Sequence, residues 1–130
     1  MEQRSITMEK KRILIADDDE SFLAALAIRF KEEGYDVMTT FDGYNALVQA
    51  ANKRPDMIIL DVNMPCSSGF AVQERLQKLG WLLAPIIYIT GEKSDRVEML
   101  SKQFDALAVF YKPFDTDELL LTVKKALAGS

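Results

Sequence analysis

Five short apolar runs punctuate the chain: Ile13 to Ala16, Tyr35 to Thr39, Met57 to Leu60, Ile86 to Ile89 and Ala108 to Tyr111. Each has the length of a strand, and three are nearly continuous in apolar character, as strands buried on both faces of a parallel sheet should be. The segments between them carry a helical period instead. Phe22, Leu26 and Phe30 recur every four residues with Leu23 and Ala27 beside them, and Gly34 stops that stripe. Asp42 caps a second helix bearing Leu47, Ala50 and Ala51, with Pro55 marking the following turn. Ser67 or Ser68 opens a third, with Val72, Leu76 and Leu79 facing inward and Gly80 as its stop. Val97, Leu100 and Phe104 define a fourth after Ser94. Asp115 with Glu118 resembles a capping box before a fifth, which buries Leu120, Val123 and Leu127.

Strands and helices in strict alternation predict a parallel sheet covered on both faces, because parallel neighbours need crossovers and those crossovers are right-handed. The expected fold class is α/β, a three-layer α/β/α sandwich. Composition agrees: 130 residues, 48% hydrophobic and 28% charged, suit one globular domain with a single core.

No apolar run approaches the roughly 20 residues of a membrane span, and the start MEQRSITMEKK lacks the apolar stretch of a signal peptide. A cytoplasmic location with no membrane contact is expected. Cys66 stands alone, so neither an intrachain disulfide nor a cysteine zinc site is available. The net charge of −4, with basic residues scattered apart from Lys10 to Arg12 and Lys124 with Lys125, gives little support to direct nucleic-acid binding. Histidine is absent, which excludes catalytic triads and imidazole metal sites. Chemistry is left to carboxylates, hydroxyls and lysine.

In open sheets of this kind ligands bind beyond the carboxyl ends of the strands. The first run ends in Asp17, Asp18, Asp19 and Glu20, the third in Asp61, the fourth in Thr90, and the fifth in Lys112 followed by Pro113. Asp19 and Glu20 read as the acidic start of a helix. Three carboxylates converging on one lysine raise one another's pKa unless a cation relieves them, and Lys112 alone cannot balance them. Oxygen ligands favour a hard divalent ion, Mg²⁺ first with Mn²⁺ as the alternative, which keeps several waters and can hold a phosphoryl group. Thr90 and Lys112 could donate to the remaining phosphoryl oxygens.

The set ILIADDDE, LDVNMP, IIYITG and FYKPF, in this order and spacing, resembles the receiver domain of two-component response regulators over residues 11–128. The resemblance implies the strand order 2-1-3-4-5 of flavodoxin-like folds, with the second strand at an edge away from the pocket. It implies that Asp61 is the phosphoacceptor, taking a phosphoryl group from a phosphohistidine on a sensor histidine kinase or phosphotransfer protein. Asp17 and Asp18 match the acid pair that holds Mg²⁺, Asp18 directly and Asp17 often through water. Asn63 matches the position whose main-chain carbonyl ligates the metal, so the implied metal set is Asp17, Asp18, Asp61 and Asn63. Thr90 matches the hydroxyl that turns toward the acyl phosphate, Lys112 the lysine that contacts it, and the Lys112–Pro113 bond is cis in the family. Asn63 and Glu92 face the route of the hydrolytic water and so tune the lifetime of the phosphorylated state.

Three departures from the family pattern stand out. Ser68 precedes Gly69 where an Asp is common, and still offers a cap. Asp105 replaces a common Gly, which predicts distortion before the fifth strand. Val109 occupies the position of an aromatic that swings inward with the threonine, and valine is too small and stiff to do so. Phe110 belongs on the opposite face, so transmission is expected to rest on Thr90 and loop movement alone.

The resulting expectation is a phosphorylation-dependent switch that catalyses its own modification and turns over no external metabolite. Its partners would be the kinase, a downstream effector or output domain, and a second copy through the helix 4, strand 5, helix 5 face. One alternative is a receiver that has lost phosphorylation and works only as an interaction module, which the intact Asp18, Asp61, Thr90 and Lys112 set disfavours. Another is a flavodoxin-like cofactor binder, in which Asp17 to Glu20 would repel the cofactor's phosphate. Residues 1–10 read as a mobile tail, and Ala128, Gly129 and Ser130 are compatible with a linker stub, so the chain reads as a single-domain regulator or a receiver cut from a longer protein.

Overall fold

The computed structural model describes residues 10–82 and 84–128. The expected tail therefore lies outside the described residues except for Lys10, as do Gly129 and Ser130 of the proposed stub. Strands β1 (Arg12–Ala16), β2 (Asp36–Thr40), β3 (Met57–Asp61), β4 (Ile86–Thr90) and β5 (Ala108–Tyr111) alternate with helices α1 (Glu20–Glu32), α2 (Gly43–Lys53), α3 (Gly69–Lys78), α4 (Asp95–Gln103) and α5 (Thr116–Ala128). The strands form one parallel sheet in the order β2-β1-β3-β4-β5, with β2 at an edge as the resemblance implied.

Alternation along the central strands divides the core into two layers. Ile13, Ile15, Met57, Ile59, Ile87 and Ile89 face α1 and α5, meeting Leu23, Leu26, Phe30, Leu119 and Val123. Their neighbours Leu14, Ala16, Ile58, Leu60 and Tyr88 face the other helices, meeting Ala46, Phe70, Leu76 and Val97. Burial on both faces explains why these strands read as unbroken apolar runs.

The caps form largely as expected. Asp19, Asp42, Ser68 and Ser94 accept from Phe22, Asn45, Ala71 and Val97 amides, which settles Ser68 over Ser67 for α3. At α5 a simpler cap replaces the expected box: the Asp115 carboxylate accepts from the Asp117 amide at 2.9 Å, the Glu118 amide bonds the Asp115 main-chain carbonyl, and no return bond from the Glu118 side chain occurs among the described residues. Leu79 departs from the expected inward stripe. α3 ends at Lys78, so Leu79 caps the helix and is 42% exposed, leaving Leu76 as the last buried residue of that face.

Two backbone positions bear on the loops around the pocket. A Cβ on Gly43 would lie 2.4 Å from both the Ser67 Cβ and the Ser67 carbonyl oxygen, so only glycine lets the start of α2 dock against the loop after β3. The Gly43 amide donates to the Pro65 carbonyl at 3.1 Å across the same contact. Asp105 takes a left-handed φ of 56° and the turn before β5 keeps its bonds, with the Ala106 amide donating to the Ser101 carbonyl at 2.9 Å. The replacement of a common glycine is thus absorbed without distortion, because aspartate is among the few residues that visit this region.

The packing between α3, β4 and α4 contains a buried polar bridge. The Tyr88 hydroxyl donates to the Gln73 side-chain carbonyl, and the Gln73 amide donates to the Phe104 main-chain carbonyl at 2.7 Å. Tyr88 is fully buried, so its hydroxyl needs such a partner. Its ring lies 4.5 Å from that of Phe70, and it is in register with Val109 on β5. Val109 and Tyr111 pack toward the α4 side, while Phe110 packs toward α1 and α5, so an aromatic does share the face of Val109 two residues along.

Gly43→Ala should destabilise the domain by about 1–3 kcal/mol in urea unfolding, since a backbone carbonyl cannot yield as a side-chain tip can. Asp105→Gly should stabilise it by about 0.5–1 kcal/mol in the same measurement, the relief of left-handed strain exceeding the added chain entropy.

Candidate functional site

Parallel pairing brings the carboxyl ends of β1, β3, β4 and β5 to one edge of the sheet. Past β1, the Asp17 amide extends the pairing by donating to the Thr40 carbonyl at 3.1 Å, which turns the wholly buried Asp17 side chain inward. Its Oδ1 accepts from the Asp19 amide at 2.9 Å and its Oδ2 from Lys112 Nζ at 2.6 Å. Asp61 closes β3, with Oδ1 accepting from the Asn63 amide at 3.1 Å and Oδ2 from Lys112 Nζ at 3.2 Å. One ammonium therefore bridges two carboxylates contributed 44 residues apart in sequence. Asp18 is exposed beside them, and one oxygen from each of Asp17, Asp18 and Asp61 lies within 4.8 Å of the others.

The remaining positions complete the rim. Thr90 is buried at the end of β4, and its Oγ1 accepts from the Glu92 amide at 2.9 Å. The Lys112 amide donates to the Thr90 carbonyl at 2.8 Å, so the backbones of the two residues are held next to each other at the ends of β4 and β5. The Lys112–Pro113 bond is cis, as the resemblance implied. Lys112 Nζ also sits 4.6 Å from the centre of the Phe22 ring. Phe22, part of the expected apolar stripe of α1, is half-buried and forms the floor under the ammonium.

Three carboxylates against one ammonium leave the cluster two charges negative. Burial first, then the neighbouring charge of Asp17, pushes the Asp61 carboxyl above its ordinary range, against the pull of the Asn63 amide and Lys112. Burial alone would lower the Lys112 pKa, but its bond to Asp17 and the charges of Asp61 and Asp17 outweigh that and raise it. The donor set is all oxygen, negatively charged and open on the Asp18 side, which fits a hard divalent cation and no soft one.

Asn63 and Glu92 are joined across the mouth. Asn63 Nδ2 donates to Glu92 Oε1 at 3.0 Å, and Glu92 also accepts from Ser94 Oγ at 2.6 Å. Arg96, in the first turn of α4, pairs with Glu92 through Nη2 at 2.8 Å and Nε at 3.2 Å. The bonds from Arg96, Ser94 and Asn63 hold the Glu92 carboxyl down to about 2. Arg96 and Phe22 were both missed from the sequence. The spacing of Glu92 and Arg96 is that of a helical ion pair, a visible but common signal; nothing sequential links Phe22 to Lys112.

The sequence profile of the response regulator receiver domain matches residues 13–124. The chain belongs to the response regulator receiver family. It is 35% identical over 120 residues to the alkaline phosphatase synthesis transcriptional regulatory protein PhoP of Bacillus subtilis, covering 92% of this chain and 50% of PhoP. It is 33% identical to the sporulation initiation phosphotransferase F of the same organism, covering 92% of this chain and 96% of that one. The chain thus spans about half the length of PhoP and nearly all of the phosphotransferase. Among solved structures, the chemotaxis response regulator CheY4 of Vibrio cholerae superimposes with a TM-score of 0.83 at 32% identity, covering 92% of this chain and all of that one. A receiver domain protein of Methanospirillum hungatei superimposes with a TM-score of 0.85 at 28% identity over 93% of this chain and 96% of that one. This receiver is accordingly a phosphorylation-controlled signalling domain of the two-component type.

Because Asp61 holds its proton to a higher pH in the folded receiver than in the unfolded chain, its charge costs stability at neutral pH, and that cost fades as pH falls through the folded pKa. In metal-free buffer Asp61→Asn should therefore be more stable than wild type at pH 7, with the difference shrinking as pH is lowered toward about 4, where the unfolded carboxyl also protonates. Thermal unfolding across that range reads the effect, and added Mg²⁺ should stabilise wild type more than the variant.

Proposed function

We propose that this receiver accepts a phosphoryl group on Asp61 and thereby changes its affinity for a partner. The carrying observation is the single ammonium of Lys112 held between Asp17 and Asp61, with Thr90 at the end of the neighbouring strand. A carboxylate oxygen of Asp61 attacks phosphorus, the bond from phosphorus to the donor nitrogen breaks, and its electron pair stays on the departing imidazole of a phosphohistidine. Lys112 and Thr90 bind two of the phosphoryl oxygens as charge spreads over them. Asp17, Asp18, Asp61 and the Asn63 main-chain carbonyl would hold Mg²⁺, or Mn²⁺ in its place, and that ion would supply neutralisation of the negative charge gathered in the pocket during transfer. The 130 residues contain no histidine, so the phosphoryl group comes from another protein or domain, a sensor histidine kinase or a phosphotransfer protein, or from a small acyl phosphate.

The receiver acts on itself alone and turns over no external metabolite, and its readers are a downstream effector or an output domain. Met99 on α4 and Leu121 on α5 stand 60% and 50% exposed, which supports a homodimer through the helix 4, strand 5, helix 5 face as one route. No described helix is long and apolar enough to cross a membrane, in keeping with a cytoplasmic setting. The pseudo-receiver and cofactor-binding alternatives are not favoured. The acidic cluster would repel a cofactor phosphate, and a module without phosphorylation has no need of the joined Asp17, Asp61 and Lys112.

Soaking with Mg²⁺ and beryllofluoride should give a tetrahedral adduct on Asp61, with Thr90 Oγ1 turned toward it in place of its bond to the Glu92 amide. An adduct-free Asp61 at saturating reagent would make the pseudo-receiver the better reading. With acetyl phosphate as donor, Asp61→Asn should incorporate no label and Lys112→Ala should lose at least about tenfold in incorporation rate, in line with removal of a transition-state donor.

A further inference from the structure

The phosphoryl group that Asp61 would carry leaves by in-line attack. Water adds to phosphorus through its oxygen, the bond to the Asp61 oxygen breaks, its electron pair returns to the carboxylate, and the water's proton passes to solvent with the released phosphate. Attacking and leaving oxygens must stand on opposite sides of phosphorus, so the water enters through the mouth of the cleft, between the loops that follow β3 and β4.

That mouth is spanned by side chains. Asn63 follows β3 and binds Asp61 through its amide; Glu92 follows β4 and binds Thr90 through its amide. Their side chains meet at 3.0 Å. Arg96 completes the span, with two guanidinium nitrogens on the Glu92 carboxylate and Nη2 also 3.4 Å from Asn63 Oδ1. In the unphosphorylated receiver the bridge is thus anchored at one end to the acceptor and at the other to the hydroxyl; once Thr90 turns to the phosphoryl group, Arg96 in the first turn of α4 remains to hold it. A planar fork meeting a carboxylate in this way orders both partners more than a point charge would.

We propose that Arg96 is a positioning residue that sets the lifetime of the phosphorylated receiver, by holding Glu92 and Asn63 together across the path of the hydrolytic water. It acts in two ways that add. The bridge fills the space through which water must approach. The guanidinium also occupies the Glu92 carboxylate, which, once released, could accept the proton of an incoming water as a general base. Losing Arg96 opens the path and frees a base beside it, so both effects shorten the lifetime. The inference rests on the reading of Asp61 as the acceptor.

The test loads wild type, Arg96→Ala and Arg96→Lys with acetyl phosphate and Mg²⁺, removes the donor by rapid desalting, and follows loss of the acyl phosphate. Arg96 is largely exposed, so its variants should fold, and circular dichroism checks this. Arg96→Ala should shorten the lifetime about two- to fivefold at low ionic strength, the scale of a partly exposed ion pair expressed in a rate. Arg96→Lys should fall between the two. Raising the salt concentration should shorten the wild-type lifetime toward that of Arg96→Ala while leaving the variant unchanged, a response that a purely structural role would not give. Equal lifetimes for wild type and Arg96→Ala at low salt would overturn the proposal, as would a wild-type lifetime indifferent to salt. Failure of wild type to take up phosphate would remove the acceptor reading and this proposal with it, whereas uptake with an unchanged lifetime would remove this proposal alone.

Discussion

The shared ammonium is the constraint around which the pocket is organised. Asp17 is fully buried and Asp61 nearly so, and two ionised carboxylates in such surroundings are tolerable only with a cation between them. Lys112 meets that need from the far end of the sheet, and it can do so because β1, β3 and β5 point the same way. Parallel topology, the order of the strands and the charge of the pocket are therefore one problem with one solution. The site remains under-neutralised even so. A deficit of two positive charges makes the cluster receptive to a divalent ion even with Lys112 bound to both Asp17 and Asp61.

Much of this was legible in the sequence because burial and pattern coincide there. Ile13 to Ala16, Met57 to Leu60 and Ile86 to Ile89 read as strands since both faces of each are covered, and Asp17, Asp61, Thr90 and Lys112 were found because each sits just where such a run ends. Capping side chains were visible for a similar reason, being local. The strand order was different: the alternation of elements does not determine it, and only the likeness to a family supplied it. Leu79 was misplaced because a helical period carries no information about which turn is the last.

What stayed hidden depends on pairs distant in sequence. Gln73 looks like a solvated position on α3, and only Tyr88, fifteen residues later, gives its amide a buried partner. Phe22 looks like ordinary core until Lys112 is placed above it. Glu92 and Arg96 show only the ordinary spacing of a helical ion pair, and the meaning of Arg96 comes from Asn63 on another loop. Asp105 was expected to disturb its turn, since the sequence shows the missing glycine but not the left-handed conformation that aspartate accepts in its stead.

The Gln73 bridge has a mechanical consequence for α4. This helix buries only Val97 and Ser101 among its nine residues, so little apolar packing holds it down. Its two ends are fastened unequally. Pulling the Phe104 end away would strand the buried Gln73 amide, at about 1–3 kcal/mol for an unsatisfied group, while the Tyr88 hydroxyl keeps its bond to Gln73. The Arg96 end is held by water-exposed charges that solvent readily replaces. A helix tethered in this way yields most easily as a swinging door: the hinge is the Gln73 carboxamide, and the handle lies within reach of the acceptor.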